Sequence, residues 1–183
     1  IPKVLGIETE YGIMCDPGED QNPTAASSLL INAYLDSLTN AGLASNRHRV
    51  AWDFSDESPD ADARGVLAQF ALPPEVETHL VNAVLTNGAR YYVDHAHPEY
   101  SSPEVSNPIE AVIWDRAGEV IVQRSMEAVT AQLQGTVHIR TYKNNSDGKG
   151  NSYGCHENFI VDRATPFPAI VRGLTPHLIT RQV

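Results

Sequence analysis

Two stretches of this chain alternate with period two and carry their reactive side chains on only one side of the alternation. In the first, Glu8 and Glu10 share a face while Ile7, Thr9 and Tyr11 share the other. In the second, Arg90, Tyr92 and Asp94 share a face while Ala89, Tyr91 and Val93 share the other. Such alternation marks a β-strand, in which successive side chains point to opposite sides of a sheet. Each strand therefore offers one polar face and one mostly apolar face. Solvent-facing alternation would produce the same pattern for Glu8-Thr9-Glu10 taken alone. It accounts less well for His95, His97, Glu99 and Glu104, which crowd directly after the second strand.

The rest of the chain supplies helices and further strands. Residues 4–13 read as one strand. Asn22-Pro23 is a helix start, with Asn22 as cap and Pro23 at the first helical position. Leu29, Leu30, Ala33, Tyr34 and Leu38 recur at helical spacing, and Gly42 ends the pattern. Asn107-Pro108 opens a second helix, with Glu110 at the capping-box position and Ile109, Val112, Ile113, Val120, Ile121, Val129 and Leu133 as its apolar set. Residues 137–143 and 153–160 read as strands, and Asn87-Gly88 as a turn. Asp53, Asp56, Glu57, Asp60 and Asp62 fall together with no basic residue among them, and we expect a mobile insertion near 45–82. Irregular alternation of strands and helices indicates an α+β fold. Ala169-Ile170-Val171 and Leu178-Ile179-Thr180 belong to a helix with no glycine cap or proline stop beyond it, so we expect the front part of a longer protein.

Charge and length exclude several classes. Thirteen basic and 23 acidic residues give a net charge of −10, the wrong sign for a nucleic-acid binder. No apolar run approaches the roughly 18 residues of a membrane helix. A chain of 183 residues can bury a real core as one domain. Cys15 and Cys155 are too few for a disulfide framework, and with no secretory signal at the start we expect reduced thiols and a cytoplasmic protein.

Several carboxylates facing one space repel each other unless cations neutralise them. Oxygen donors of this kind suit Mg²⁺, particularly Mg²⁺ that also holds phosphates. Asp94-His95-Ala96-His97 admits two other readings. A His-x-His pair at a strand end suits zinc in a hydrolase, and His97-Pro98 also suits a plain turn. Gly148-Lys149-Gly150 lacks the spacing of a phosphate loop, and Asp147-Gly148-Lys149-Gly150-Asn151 lacks the ligands of an EF-hand. His156 and Asn158 share one strand face, where His156 is either a structural residue or a ligand.

Four segments together resemble a known family: Gly6-Ile7-Glu8-Thr9-Glu10-Tyr11-Gly12; the run Asn87-Gly88-Ala89-Arg90-Tyr91-Tyr92-Val93-Asp94-His95-Ala96-His97-Pro98-Glu99-Tyr100; Tyr142-Lys143-Asn144-Asn145; and Tyr153-Gly154-Cys155-His156-Glu157-Asn158. They resemble the enzymes of bacterial pupylation, the ligase and the deamidase/depupylase of the ubiquitin-like protein Pup, which are similar to glutamine synthetase. The spacing of Asp94 from His97-Pro98-Glu99 and the long segment before Asn87 resemble the deamidase branch, with the ligase as the alternative. The resemblance implies a curved antiparallel sheet forming a cradle with helices packed behind it. It implies a site for ATP (or ADP with phosphate) and Mg²⁺. Glu8, Tyr92 and Glu99 match magnesium ligands, Arg90 and Ser102 match nucleotide contacts, and Asp94 matches the catalytic aspartate. The more distant similarity to glutamine synthetase adds Glu10 and His156 as ligands. The implied partners are Pup and pupylated proteins, with a functional link to the bacterial proteasome. The implied chemistry is hydrolysis of the side-chain amide of Pup's C-terminal glutamine and of the Pup–lysine isopeptide bond.

Overall fold

The computed structural model describes residues 4–16, 22–43, 49–51, 80–144, 146 and 152–180. The acidic segment 53–62 and most of the insertion expected near 45–82 lie outside the described residues, as does the loop at 147–150. In sequence order the elements are β1 (Leu5–Glu10), β2 (Gly12–Asp16), α1 (Pro23–Asn40), β3 (Asn82–Val84), β4 (Arg90–Asp94), β5 (His97–Ser101), α2 (Pro108–Gln132), β6 (His138–Tyr142), β7 (Cys155–Phe159) and α3 (Phe167–Thr180). This is the expected α+β composition, with antiparallel pairing throughout.

Five strands form the main sheet in the order β3-β4-β5-β1-β7, and β2 pairs with β6 in a separate two-stranded sheet. The single strand expected over 4–13 is in fact two. The backbone leaves the main sheet at Tyr11, whose amide donates to the Pro98 carbonyl at 3.0 Å, and Gly12 begins the second sheet opposite Tyr142. A Cβ at Gly12 would collide with the Tyr153 ring, so the crossing between sheets requires glycine.

One face of the main sheet is the core. Tyr91, Val93, Tyr100 and Ala83 pack there against Ile31, Tyr34 and Leu35 of α1 and Ile121 and Val122 of α2. A second cluster joins Leu30 and Ala33 of α1, Val129 of α2 and Ile139 of β6. The Tyr91 hydroxyl donates to the Ser125 hydroxyl at 3.3 Å, and the Asn87 amide donates to the Tyr100 hydroxyl at 3.1 Å, so these two buried phenols have partners.

Both long helices begin as their Asn-Pro pairs predict. Asn22 Oδ1 accepts from the Thr24 amide and Asn107 Oδ1 from the Glu110 amide, each at 2.9 Å. The inward stripe of α2 differs from expectation. Ile121 and Val129 are buried, but Ile109, Val112, Ile113 and Val120 are exposed, and Ala111, Gly118 and Ser125 face the sheet instead. The reason is steric. The rings of Tyr91 and Tyr100 already occupy the space between sheet and helix, and an ideal Cβ at Gly118 would lie 2.5 Å from Tyr100 Cδ1. Among the described residues no helix is long and apolar enough to cross a membrane.

Candidate active site

Register assembles the polar face. β1 and β5 align Glu8 with Ser101 and Glu10 with Glu99. β4 and β5 align Arg90 with Ser101, Tyr92 with Glu99 and Asp94 with His97. β1 and β7 align Glu8 with His156. Directly paired residues project to the same side of a sheet. Glu8, Glu10, Arg90, Tyr92, Asp94, His97, Glu99 and His156 therefore share the face opposite the helices. The sequence alone shows two separate polar strand faces; the structure joins them into one.

Glu99 is the most enclosed acid on this face, 1% exposed. The Tyr92 hydroxyl donates to its Oε1 at 2.6 Å, and the Ser101 hydroxyl donates to Tyr92 at 3.3 Å. Its Oε2 is buried and has no hydrogen-bond partner among the described residues. Burial, with the negative charges of Asp94, Glu10 and Glu8 adding to it, pushes the Glu99 carboxyl from 4.5 up to about 8. The Tyr92 phenol is pushed upward too, first by burial and then by Glu99. It stands as a neutral donor that orients Glu99.

Two groups of potential ligands form on this face. One is Glu8, Glu99 and His156, with His156 Nδ1 at 3.3 Å from Glu8 Oε2. The other is Glu10, Asp94 and His95. Within each group the donor atoms lie within 4.8 Å of one another. A buried carboxylate oxygen with no donor, among four carboxylates on one face, fits a hard divalent cation such as Mg²⁺. The zinc reading required His95 and His97 to act together. His97 falls in neither group, and its ring lies against Tyr153 with centroids 5.1 Å apart.

Asp94 ends β4 at the rim of the face. His95 and Ala96 form a two-residue turn into β5 with φ of +44° and +70°. Left-handed backbone at both positions is the type I′ hairpin turn, usually built from Asn and Gly. For a residue with a side chain this geometry costs roughly 1–2 kcal/mol. His95 Nδ1 lies 2.6 Å from Asp94 Oδ2 and 3.8 Å from Glu10 Oε1. Glu10 Oε2 accepts the Gly154 amide at 2.7 Å, which fastens β1 to the segment before β7.

The remaining expected residues sit to either side. The Arg90 guanidinium lies 3.9 Å above the Tyr92 ring, and its Nε donates to Asn82 Oδ1 at 2.9 Å. Ser102 follows β5 and lines a groove of about 430 Å³ with Gly6, Ile7, Glu8, Asn158 and Phe159. Its hydroxyl accepts the Ile7 amide at 3.0 Å. The Lys143 ammonium turns away from the carboxylate face to Asp115 and Glu119 of α2, at 2.6 and 2.9 Å.

Sequence reasoning missed two contributors. Asn82 orients Arg90, and Ser27 of α1, fully buried, donates to the Ala96 carbonyl at 2.9 Å. The available signal for Ser27 was a serine pair, Ser27-Ser28, inside an otherwise apolar helix face.

Known proteins resemble this chain over nearly its whole length. A Depupylase from Acidothermus cellulolyticus is 49% identical over 188 residues, which covers 99% of this chain and 36% of that protein. The Pup deamidase/depupylase of Mycobacterium tuberculosis is 47% identical over 186 residues, covering 99% of this chain and 36% of that protein. A Pup–protein ligase from Sanguibacter keddieii is 33% identical, covering 99% of this chain and 32% of that protein. The chain thus spans about a third of the length of these relatives. Among solved structures, the complex between Pup and its ligase PafA matches with a TM-score of 0.66 at 27% identity, covering 99% of this chain and 29% of that one. The family model described as Pup-ligase protein matches residues 3–183, the whole of the strand set that builds the carboxylate face, and the chain belongs to that family.

Proposed function

We propose that this chain is the N-terminal part of the large catalytic domain of a Pup deamidase/depupylase. The observation that carries the branch is the gradient of identity: 49% and 47% to a depupylase and a deamidase/depupylase, against 33% to a Pup–protein ligase over the same span. The substrates are Pup ending in glutamine and proteins joined to Pup through a lysine, which ties the activity to the bacterial proteasome and to the cytoplasm.

Deamidation consumes one water, breaks the carbon–nitrogen bond of the glutamine amide and releases ammonia. In depupylation the leaving group is instead the lysine amine. Asp94 is the reacting carboxylate of this protein. It either attacks the carbonyl carbon itself or takes the proton from the attacking water, and both routes need it at the rim where β4 ends. Glu8, Glu99 and His156, with Glu10 and the Tyr92 hydroxyl beside them, would hold Mg²⁺. Arg90 and Ser102 would hold ATP, or ADP with phosphate. When bound, Mg²⁺ would supply positive charge against the oxyanion that develops on the carbonyl. Tyr92 keeps Glu99 aimed into the face, and Asn82 keeps Arg90 in place over Tyr92.

The test is mass spectrometry of Pup ending in glutamine, incubated with the full-length protein, ATP and Mg²⁺. Conversion of the terminal glutamine to glutamate is expected. Absence of conversion, with attachment of glutamate-ended Pup to a lysine substrate, would assign the protein to the ligase branch.

A further inference from the structure

His95 and Ala96 are consecutive non-glycine residues with left-handed backbone, and they directly follow Asp94. Strained turns of this kind persist only where the surroundings over-determine them, and they concentrate at functional sites. Two contacts hold this one. From the buried side, the Ser27 hydroxyl of α1 donates to the Ala96 carbonyl at 2.9 Å, with Ser27 fully enclosed. From the open side, His95 Nδ1 meets Asp94 Oδ2 at 2.6 Å.

Resting on the deamidase/depupylase reading above, we infer that His95 and Ser27 are positioning residues for Asp94. Ser27 pins the turn to α1 and so sets how far Asp94 stands above the sheet. His95 keeps its ring nitrogen against Oδ2, at 2.6 Å, and so restricts the rotation of the carboxylate toward the substrate carbonyl. Neither side chain needs to touch substrate. The rival role for His95 is ligation, because it also groups with Glu10 and Asp94.

The two roles separate in the full-length protein. His95→Gly relieves the backbone strain and removes the imidazole beside Asp94. It is expected to lower kcat for glutamine deamidation about tenfold, the scale of losing one polar contact to a charged group. KM for Pup, nucleotide affinity and the Mg²⁺ concentration for half activity stay at wild-type values. His95→Asn tolerates the left-handed backbone and keeps a polar side chain beside Asp94, and it is expected to recover part of the loss. Ser27→Ala is expected to lower kcat with the same unchanged KM. A His95→Gly enzyme within twofold of wild-type kcat overturns the inference, and so does a loss that excess Mg²⁺ restores. A crystal structure of full-length His95→Gly gives a readout that needs no turnover, the Asp94 carboxylate leaving its wild-type rotamer. An unchanged rotamer overturns the inference whether or not the wild type deamidates Pup, whereas an inactive wild type with a displaced Asp94 in the variant overturns the functional reading alone.

Discussion

Replacing Glu99 by glutamine is expected to stabilise the metal-free full-length protein at neutral pH while removing its response to Mg²⁺. The native carboxyl is 1% exposed, and burial together with Asp94, Glu10 and Glu8 raises it from 4.5 to about 8. Between those values the folded protein holds a proton that the unfolded polypeptide releases. The stability Glu99 contributes is therefore fully present below pH 4.5 and is lost as pH rises toward 8, at about 1.4 kcal/mol for each pH unit. At pH 7 the deficit is on the order of 3 kcal/mol. Glutamine carries no proton to lose and keeps an oxygen to accept from the Tyr92 hydroxyl, now at 2.6 Å from Oε1. The difference between variant and wild type, measured by thermal unfolding in EDTA, is expected to vanish near pH 4.5 and grow toward pH 8. Mg²⁺ is expected to reverse the order, because a cation held at Oε2 would displace the proton. Calorimetry in buffers of different ionisation enthalpy is expected to show close to one proton released per Mg²⁺ bound at about pH 6–7 by the wild type and none by the variant. Parallel pH profiles for the two proteins in EDTA would refute the account of Glu99 as an acid held protonated by its surroundings.

Three further outcomes are expected. Asp94→Asn abolishes deamidation while nucleotide binding, followed by fluorescence of a labelled ATP analogue, persists; retained turnover would remove Asp94 from the chemistry. Gly118→Ala drives a Cβ to 2.5 Å from the Tyr100 ring and is expected to cost about 1–3 kcal/mol in chemical unfolding, where a change under a few tenths would show that the ring moves freely. Asn107→Ala removes the side-chain acceptor of the Glu110 amide and is expected to cost about 1 kcal/mol, against almost nothing for the Asn107→Asp control.

Local rules carried the sequence far where the deciding interactions are local. Both Asn-Pro pairs start helices because cap and first turn lie within four residues of each other. Asn87-Gly88 turns the backbone because Gly88 takes φ of +83° without cost. The same rules hid β5. Pro98 reads as a breaker, yet it sits opposite Val93, whose amide donates to Val81 on the far side at 3.0 Å. That makes Val93–Pro98 a pair without hydrogen bonds between its members, so the missing N–H faces Tyr11, where β1 has already ended and the backbone leaves the main sheet. The turn before it was equally illegible, since His-Ala replaces the Asn-Gly that announces a type I′ hairpin. Here the propensity conflict is itself the clue, because a hairpin that spends strain on its turn must be held from outside, as Ser27 holds this one.

The site depends on the least local quantity of all. Period two assigns Glu8 and Glu10 to one face of β1 and Tyr92 to one face of β4, but nothing in either segment says that the faces coincide. The intervening β5 decides it, through Glu10↔Glu99 on one side and Tyr92↔Glu99 on the other. A slip of one residue between β1 and β5 would turn Glu8 and Glu10 into the core and bring Ile7 and Thr9 to the open face. The buried Tyr91, Val93 and Tyr100 forbid the corresponding slip in the β4–β5 hairpin, because it would expose two of the largest fully enclosed side chains or bury charge in their place. The apolar face thus fixes the register that the polar face uses. Core substitutions on β4 and β5 are for this reason expected to disturb Glu99 and Asp94 as directly as substitutions in the carboxylate set itself.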